Sequence, residues 1–132
     1  FLGPAMILAV VGMTAIVVAL SNGPNKKAES QSNATLVSCK STGQALEINI
    51  SGDKINPEQT VGKACDTLTI TNSDNKTRLI AFGHHDSHKQ YDGVTEKVLR
   101  QGQSFTVTLN EKGTYTVHDH YDDEVEGTFV VN

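Results

Sequence analysis

All five histidines of this 132-residue chain lie in two short stretches. The first contains His84, His85 and His88, and the second contains His118 and His120. Residues i and i+2 of a β-strand point to the same face, so the last two imidazoles are expected to project together. Two imidazoles placed in this way hold one metal ion about 2 Å from each ring nitrogen. The spacing therefore predicts a metal site.

A loop of solvated histidines is the alternative to a metal site. The rings would then titrate near neutral pH or bond to the neighbouring carboxylates of Asp86 and Asp119. The acidic residues 122–126 beside His120 are typical of a solvated turn. Such carboxylates also collect cations, raise the pKa of histidine or add a ligand to a harder metal.

Apolar and polar residues alternate with period two along most of the chain after residue 45, as in Leu46, Ile48 and Ile50. Together with the turn signals, this pattern predicts an all-β sandwich of short strands. The predicted strands cover residues 45–50, 67–71, 78–82, 105–109, 114–120 and 127–131. We expect strand 78–82 to run parallel to strand 114–118, as in many Greek-key sandwiches, so that both histidine stretches meet at one pole of the domain.

The first 20 residues contain no charged side chain. A helix of 20 residues is about 30 Å long, the thickness of the hydrocarbon core of a bilayer. We therefore predict one hydrophobic α-helix over residues 1–20, a polar linker over 21–38 and the sandwich over 39–132. The chain starts with Phe1 and no basic residue precedes the apolar run, so we expect that an upstream leader has been removed.

The formal net charge of −4, with only eleven lysines and arginines, argues against a nucleic-acid partner, which needs a clustered basic face. Cys39 and Cys65 lack the spacing of a zinc ribbon or a redox dithiol. In an exported domain they would form one disulfide worth about 3 kcal/mol, and free thiols are the alternative. Glycosylation triplets at Asn33, Asn49 and Asn75 occur at a frequency close to chance, so glycosylation stays open.

The segment 113–131 carries a family resemblance. Gly-Thr-Tyr at 113–115 and Gly-Thr-Phe-Val-Val at 127–131 resemble the C-terminal signature of cupredoxins, and the strand around 66–72 is similar to their central strand. The resemblance spans roughly residues 40–132 and implies a cupredoxin-like Greek-key β-sandwich. It also implies copper bound by a histidine after a middle strand and by a cysteine, a histidine and often a methionine near the C-terminus.

The chain departs from that ligand pattern. Counting from Tyr115, Asp119 stands where the family has its cysteine, Asp122 where it has the later histidine and Val125 where it has the methionine, while the first histidine falls near Arg78. A trigonal blue-copper site cannot form without a thiolate. Fast electron transfer of the plastocyanin kind is therefore disfavoured.

The chain also resembles proteins whose copper ligands are all histidines. Residues 113–120 resemble the stretch of multicopper oxidase first domains in which a His-x-His pair binds copper. Small exported cupredoxin-like proteins combine Phe-Gly-x-His-x-x-His with Gly-Thr-Tyr-x-x-His-Asp-His, as residues 82–88 and 113–120 do here. This resemblance implies that the metal ligands are His85, His88, His118 and His120. His84 is a substitute ligand, Asp86 and Asp119 are the partners that fix the imidazole tautomers, and copper (Cu²⁺) is the expected ion with zinc as the alternative.

The start of the chain resembles mature type IV pilins, in which Phe is often the first residue and a hydrophobic helix follows. This implies either a membrane anchor or a filament core made of copies of residues 1–20, in a possible homopolymer. We expect a non-enzymatic protein outside the cytoplasm, displayed at the cell surface, that binds copper or zinc. A structural, pilin-like filament subunit is the alternative, and a His-ligated copper enzyme such as a dismutase is a minor one.

Overall fold

The computed structural model describes residues 35–132 of the chain. The predicted helix over residues 1–20 and most of the predicted linker lie outside the described residues, so the membrane and filament hypotheses both stay predictions. Within the described part, no helix has the length and apolar character needed to cross a membrane.

Ten strands form two sheets in this part of the chain. Four strands form the first sheet in the order β2-β1-β4-β8, and the second has the order β3-β10-β9-β5-β6, with β7 also paired to β5. The strands are β1 (Ala45–Ser51), β2 (Lys54–Asn56), β3 (Gln59–Gly62), β4 (Thr67–Asn72), β5 (Arg78–His84), β6 (Ser87–His88), β7 (Glu96–Leu99), β8 (Ser104–Thr108), β9 (Gly113–Asp119) and β10 (Asp122–Val131). The predicted all-β sandwich is confirmed.

Alternating apolar side chains from both sheets form one core, because every second residue of a strand points to the same face. In the six-stranded sheet, Phe82 lies at the centre, and its ring centroid is 5.7 Å from that of Phe129. The two sheets contribute the fully buried residues Ile48, Ile50, Leu68, Ile70, Ile80, Val107, Val117 and Phe129. Ile48 and Ile50, two of the alternating residues named from the sequence, are thus in the core, and Leu46 is partly buried against it.

The predicted parallel pairing of strands 78–82 and 114–118 is wrong. Strands β5 and β9 are antiparallel neighbours, and Ala81 lies opposite His118. The two histidine stretches still meet, because the chain reverses after β5 and β6 runs back along it, with His88 opposite Gly83. The histidine side chains of the two stretches therefore meet because of this reversal, and not because β5 and β9 run in the same direction.

This register places the histidines on the outer face of the six-stranded sheet. Val117 and Phe82 point into the core, so by alternation His118 and Gly83 face outward. His120 follows His118 by two residues, and its backbone N–H donates to the carbonyl of Leu79, 2.7 Å away. The two histidine stretches therefore meet on the outer face of this sheet, at the C-terminal end of β9.

A disulfide joins Cys39 to Cys65, as the exported-domain interpretation predicted. It ties the segment before β1 to the turn between β3 and β4. In the same turn, the buried Asp66 accepts hydrogen bonds from the backbone N–H groups of Gln44 and Lys63, both at 2.8 Å. This crosslinked turn lies near the start of β9, because the N–H of Cys65 donates to the carbonyl of Leu109.

Candidate metal centre

His118 is the most deeply buried of the five histidines, with 1% of its surface exposed. Its Nδ1 lies 2.8 Å from the carbonyl oxygen of Gly83. A carbonyl only accepts hydrogen bonds, so Nδ1 carries the proton and Nε2 presents its lone pair. Burial lowers the pKa of His118, and the Gly83 carbonyl opposes this only in part. The lowered pKa favours the neutral imidazole, and the buried Nε2 of His118 has no hydrogen-bond partner among the described residues.

His120 and His88 face each other through ring nitrogens. Nδ1 of His120 and Nε2 of His88 are 3.0 Å apart. Two nitrogens that bind one ion at about 2 Å and subtend roughly 90–110° at it are about 2.8–3.3 Å apart. The observed separation is the one that a shared ion requires. The same two nitrogens are also at hydrogen-bonding distance from each other, with one ring as the donor and the other as the acceptor.

His85 lies on the solvent side of the rings of His118, His120 and His88. Its ring stacks on that of His120 with centroids 4.5 Å apart and 13° between the planes. One potential ligand atom each from His85, His118 and His120 lies within 4.8 Å of the others. Nitrogens bound to one ion at about 2 Å are at most about 4 Å apart. Binding of one ion by all three would therefore bring these nitrogens closer together and turn the stacked His85 ring relative to His120.

Each of the two candidate ligands in the β5–β6 reversal, His85 and His88, has a carboxylate next to its Nδ1. Nδ1 of His85 is 2.7 Å from the carboxylate of Asp123, and Nδ1 of His88 is 3.4 Å from that of Glu96. A carboxylate beside Nδ1 favours a proton there and leaves the lone pair on Nε2. These contacts point to Nε2 as the ligand atom of both rings. The acidic run at 122–126 hinted at the first partner, whereas nothing in the sequence indicated Glu96.

The predicted partners of the rings are different residues. Asp119 lies on the core side of β9 and contacts Arg78, 2.9 Å away, so its predicted role as an imidazole partner is wrong. Asp86 is exposed, and among the described residues it forms no hydrogen bond or ion pair with a histidine. His84 is also exposed and lies outside the group of close nitrogens formed by His85, His118 and His120. The predicted ligand His88 is outside this group as well, but its Nε2 contacts Nδ1 of His120 at 3.0 Å.

The residues present fit a copper or zinc ion. All four candidate ligand atoms are imidazole nitrogens, which suit both ions. The buried Nε2 of His118 is the specific sign, because a buried acceptor without a partner costs free energy in the metal-free fold. Coordination to an ion would satisfy this nitrogen together with its neighbours on His85, His88 and His120.

Comparison with solved structures supports the fold. A variant of amicyanin in its reduced Cu(I) form at pH 4 aligns with a TM-score of 0.57 and 20% identity, over 70% of this chain and 87% of that one. A purple cupredoxin from Nitrosopumilus maritimus aligns with a TM-score of 0.57 and 20% identity, over 66% of this chain and 99% of that one. At this identity the likeness concerns the fold alone.

No curated protein matches the chain by sequence. The sequence profile of the cupredoxin-like domain, in contrast, matches residues 11–131, which is most of the chain. The two-sheet topology and the aligned structures agree with that match. The chain therefore belongs to the cupredoxin-like domain family.

Proposed function

We propose that this protein is a non-enzymatic copper-binding protein whose ion is held by His85, His88, His118 and His120. The observation that carries the proposal is the buried Nε2 of His118, which has no hydrogen-bond partner in the part of the chain that the structure describes; it lies in one group with His85 and His120, and the ring of His88 is next to it. A solvated loop of titrating histidines would leave no such nitrogen inside the protein.

Each part of the chain has a separate task in this proposal. The paired strand β9 supplies His118 and the turn directly after it supplies His120, while the β5–β6 reversal supplies His85 and His88 from the edge of the same sheet. The Gly83 carbonyl, Asp123 and Glu96 hold three rings by Nδ1. When bound, the copper ion supplies a Lewis-acid and one-electron centre with nitrogen ligands only.

Copper is proposed over zinc because nitrogen sites generally bind Cu(II) more tightly than Zn(II). The site contains no thiolate, so the trigonal arrangement of blue copper is not available to it. The disulfide between Cys39 and Cys65 supports a location outside the cytoplasm, where such bonds persist. Surface display remains part of the proposal.

Titration of the full chain in detergent micelles with Cu(II), in competition with a chelator of known affinity, tests the proposal. We expect one equivalent to bind, and Zn(II) to bind more weakly. The double variant His118→Ala/His120→Ala should abolish this binding, whereas the control His84→Ala should retain it. Binding that is unchanged in the double variant would refute the assignment.

A further inference from the structure

We infer that Asp119, held by Arg78, is a positioning residue that sets the spacing of His118 and His120 without touching the ion. The inference rests on the proposed copper binding. It concerns the core-facing side of β9, opposite the histidine rings.

The carboxylate of Asp119 ties the end of β9 to the start of β5. Its Oδ2 accepts a hydrogen bond from Nη1 of Arg78 at 2.9 Å. Its Oδ1 accepts two more, from the backbone N–H groups of Leu79 at 3.0 Å and Tyr121 at 3.1 Å. One side chain therefore fixes both the neighbouring strand and the residue that follows His120.

The two ligand histidines flank Asp119 directly in sequence. The backbone N–H of His120 donates to the carbonyl of Leu79 at 2.7 Å, so both Asp119 and His120 hold the same residue of β5. The antiparallel pairing of β9 with β5 ends at Asp119. On the other side of β9, the pairing with β10 shifts its register between Asp122 and Glu126. Without the hydrogen bonds that Asp119 accepts, the end of β9 would lose its side-chain link to Leu79 and Tyr121, and the backbone that carries the His120 ring would be less firmly held.

Burial of the Arg78–Asp119 ion pair costs free energy of folding, which argues that the pair has a specific role. Arg78 and Asp119 are each only 1% exposed, and burying two charges carries a large desolvation penalty. Burial opposes protonation of Arg78, but its bonds to Asp119, Asp53 and Asp74 raise its pKa overall. Apolar side chains of similar size could close this end of the sandwich at lower cost. They could not accept the hydrogen bonds that Asp119 receives from the backbone N–H groups of Leu79 and Tyr121.

Substitution of Asp119 by Asn in the full chain tests the inference, with Asp74→Asn as the matched control. Both substitutions remove one carboxylate from Arg78, but only the first touches β9. We expect Asp119→Asn to weaken Cu(II) binding roughly 10- to 100-fold, the usual effect of losing a residue that orients a metal ligand. Its copper hyperfine splitting in electron paramagnetic resonance should also change. Asp74→Asn should keep the wild-type affinity and spectrum.

A readout without metal separates this inference from the proposed function. In the metal-free chain, the ring ¹⁵N shifts of His118 and His120 should change in Asp119→Asn and stay unchanged in Asp74→Asn. Failure of the wild-type chain to bind copper would refute the proposed function and leave this readout to decide on positioning. Wild-type ring shifts in Asp119→Asn would overturn the inference.

A second substitution covers the case in which Asp119→Asn does not fold. Asp119→Glu keeps the charge beside Arg78 but moves the carboxylate by one methylene away from the N–H groups of Leu79 and Tyr121. We expect a folded protein whose His120 ring shifts differ from the wild type. Identical shifts in this folded variant would also overturn the inference.

Discussion

The four candidate ligands differ in how firmly the protein holds them. His118 is buried and bonded through Nδ1 to the Gly83 carbonyl. His85 is 42% exposed at its side chain, and its carboxylate partner Asp123 is more exposed still. A ligand that is already ordered loses less side-chain entropy when the ion binds. His118 should therefore contribute more to copper affinity than His85 does.

Single alanine substitutions test this order. Loss of a residue that only orients a metal ligand typically weakens metal binding roughly 10- to 100-fold. We expect His118→Ala, which removes a ligand itself, to weaken Cu(II) binding by more than this. His85→Ala should have the smaller effect, because water can replace an exposed ring. Competition titrations of both variants beside His84→Ala measure the difference. Equal losses in the first two would show that the exposed ring is as firmly held as the buried one.

Asp66 offers a prediction on acid stability. Hydrogen bonds from the backbone N–H groups of Lys63 and Gln44 lower its pKa. A carboxyl whose folded pKa is depressed stabilises the fold above its unfolded pKa, and this stabilisation is lost as the pH falls through the folded pKa. We expect the free energy of unfolding to decrease when the pH is lowered below about 4, which is near the unfolded pKa of aspartate.

Asp66→Asn provides the comparison. The variant should be less stable than the wild type at neutral pH, and the difference should shrink as the solution is acidified. Urea unfolding of both proteins at several pH values measures this. A difference that stays constant down to pH values well below the unfolded pKa would contradict the assignment to the Asp66 carboxylate.

At the scale of elements, the reversal from β5 to β6 brings His85 and His88 over the sheet. Gly83 has a φ of 86°, and a Cβ built there would come 2.5 Å from the carbonyl oxygen of Ser87. A larger residue must therefore push β6 away from β5. The hydrogen bond from His118 to the Gly83 carbonyl would move with it.

Gly83→Ala should thus lower both the melting temperature and the copper affinity. The matched control is Gly93→Ala, since Gly93 has a φ of 77° but its Cβ would meet nothing within 4 Å. This control shares the backbone strain and lacks the clash, so it should lose some stability and keep its affinity. Equal copper affinity in the two variants would argue against a role for the reversal in the site.

The sequence pattern predicted the longer strands well and the connections poorly. Period-two alternation identified β1, β4, β8 and β9 because each buries one face. Strands of two to four residues, such as β6 and β7, are too short to show a period. The His-x-His pair was readable from strand geometry alone. The antiparallel pairing of β5 and the Arg78–Asp119 contact depend on long-range packing, which local spacing does not encode.

At the scale of the whole molecule, the disulfide and the histidine group lie at opposite ends of the sandwich. The backbone N–H of Cys65 donates to the carbonyl of Leu109, shortly before β9 begins, whereas His118 lies near the end of β9 and His120 directly after it. The crosslink spans a sequence separation of 26 residues. Loop-closure entropy for a loop of this length corresponds to about 3 kcal/mol of stability. The two features should therefore act independently.

The double variant Cys39→Ser/Cys65→Ser tests that independence. We expect its free energy of unfolding to be lower than that of the wild type by about 3 kcal/mol, because the unfolded chain regains its freedom. Its copper affinity should match that of the wild type while the protein is folded, since within residues 35–132 the crosslinked turn forms no hydrogen bond or ion pair with a candidate ligand or a partner of its ring. Urea unfolding gives the first quantity and competition titration the second. A loss of copper affinity in the folded double variant would show that the crosslinked end communicates with the histidine group along β9.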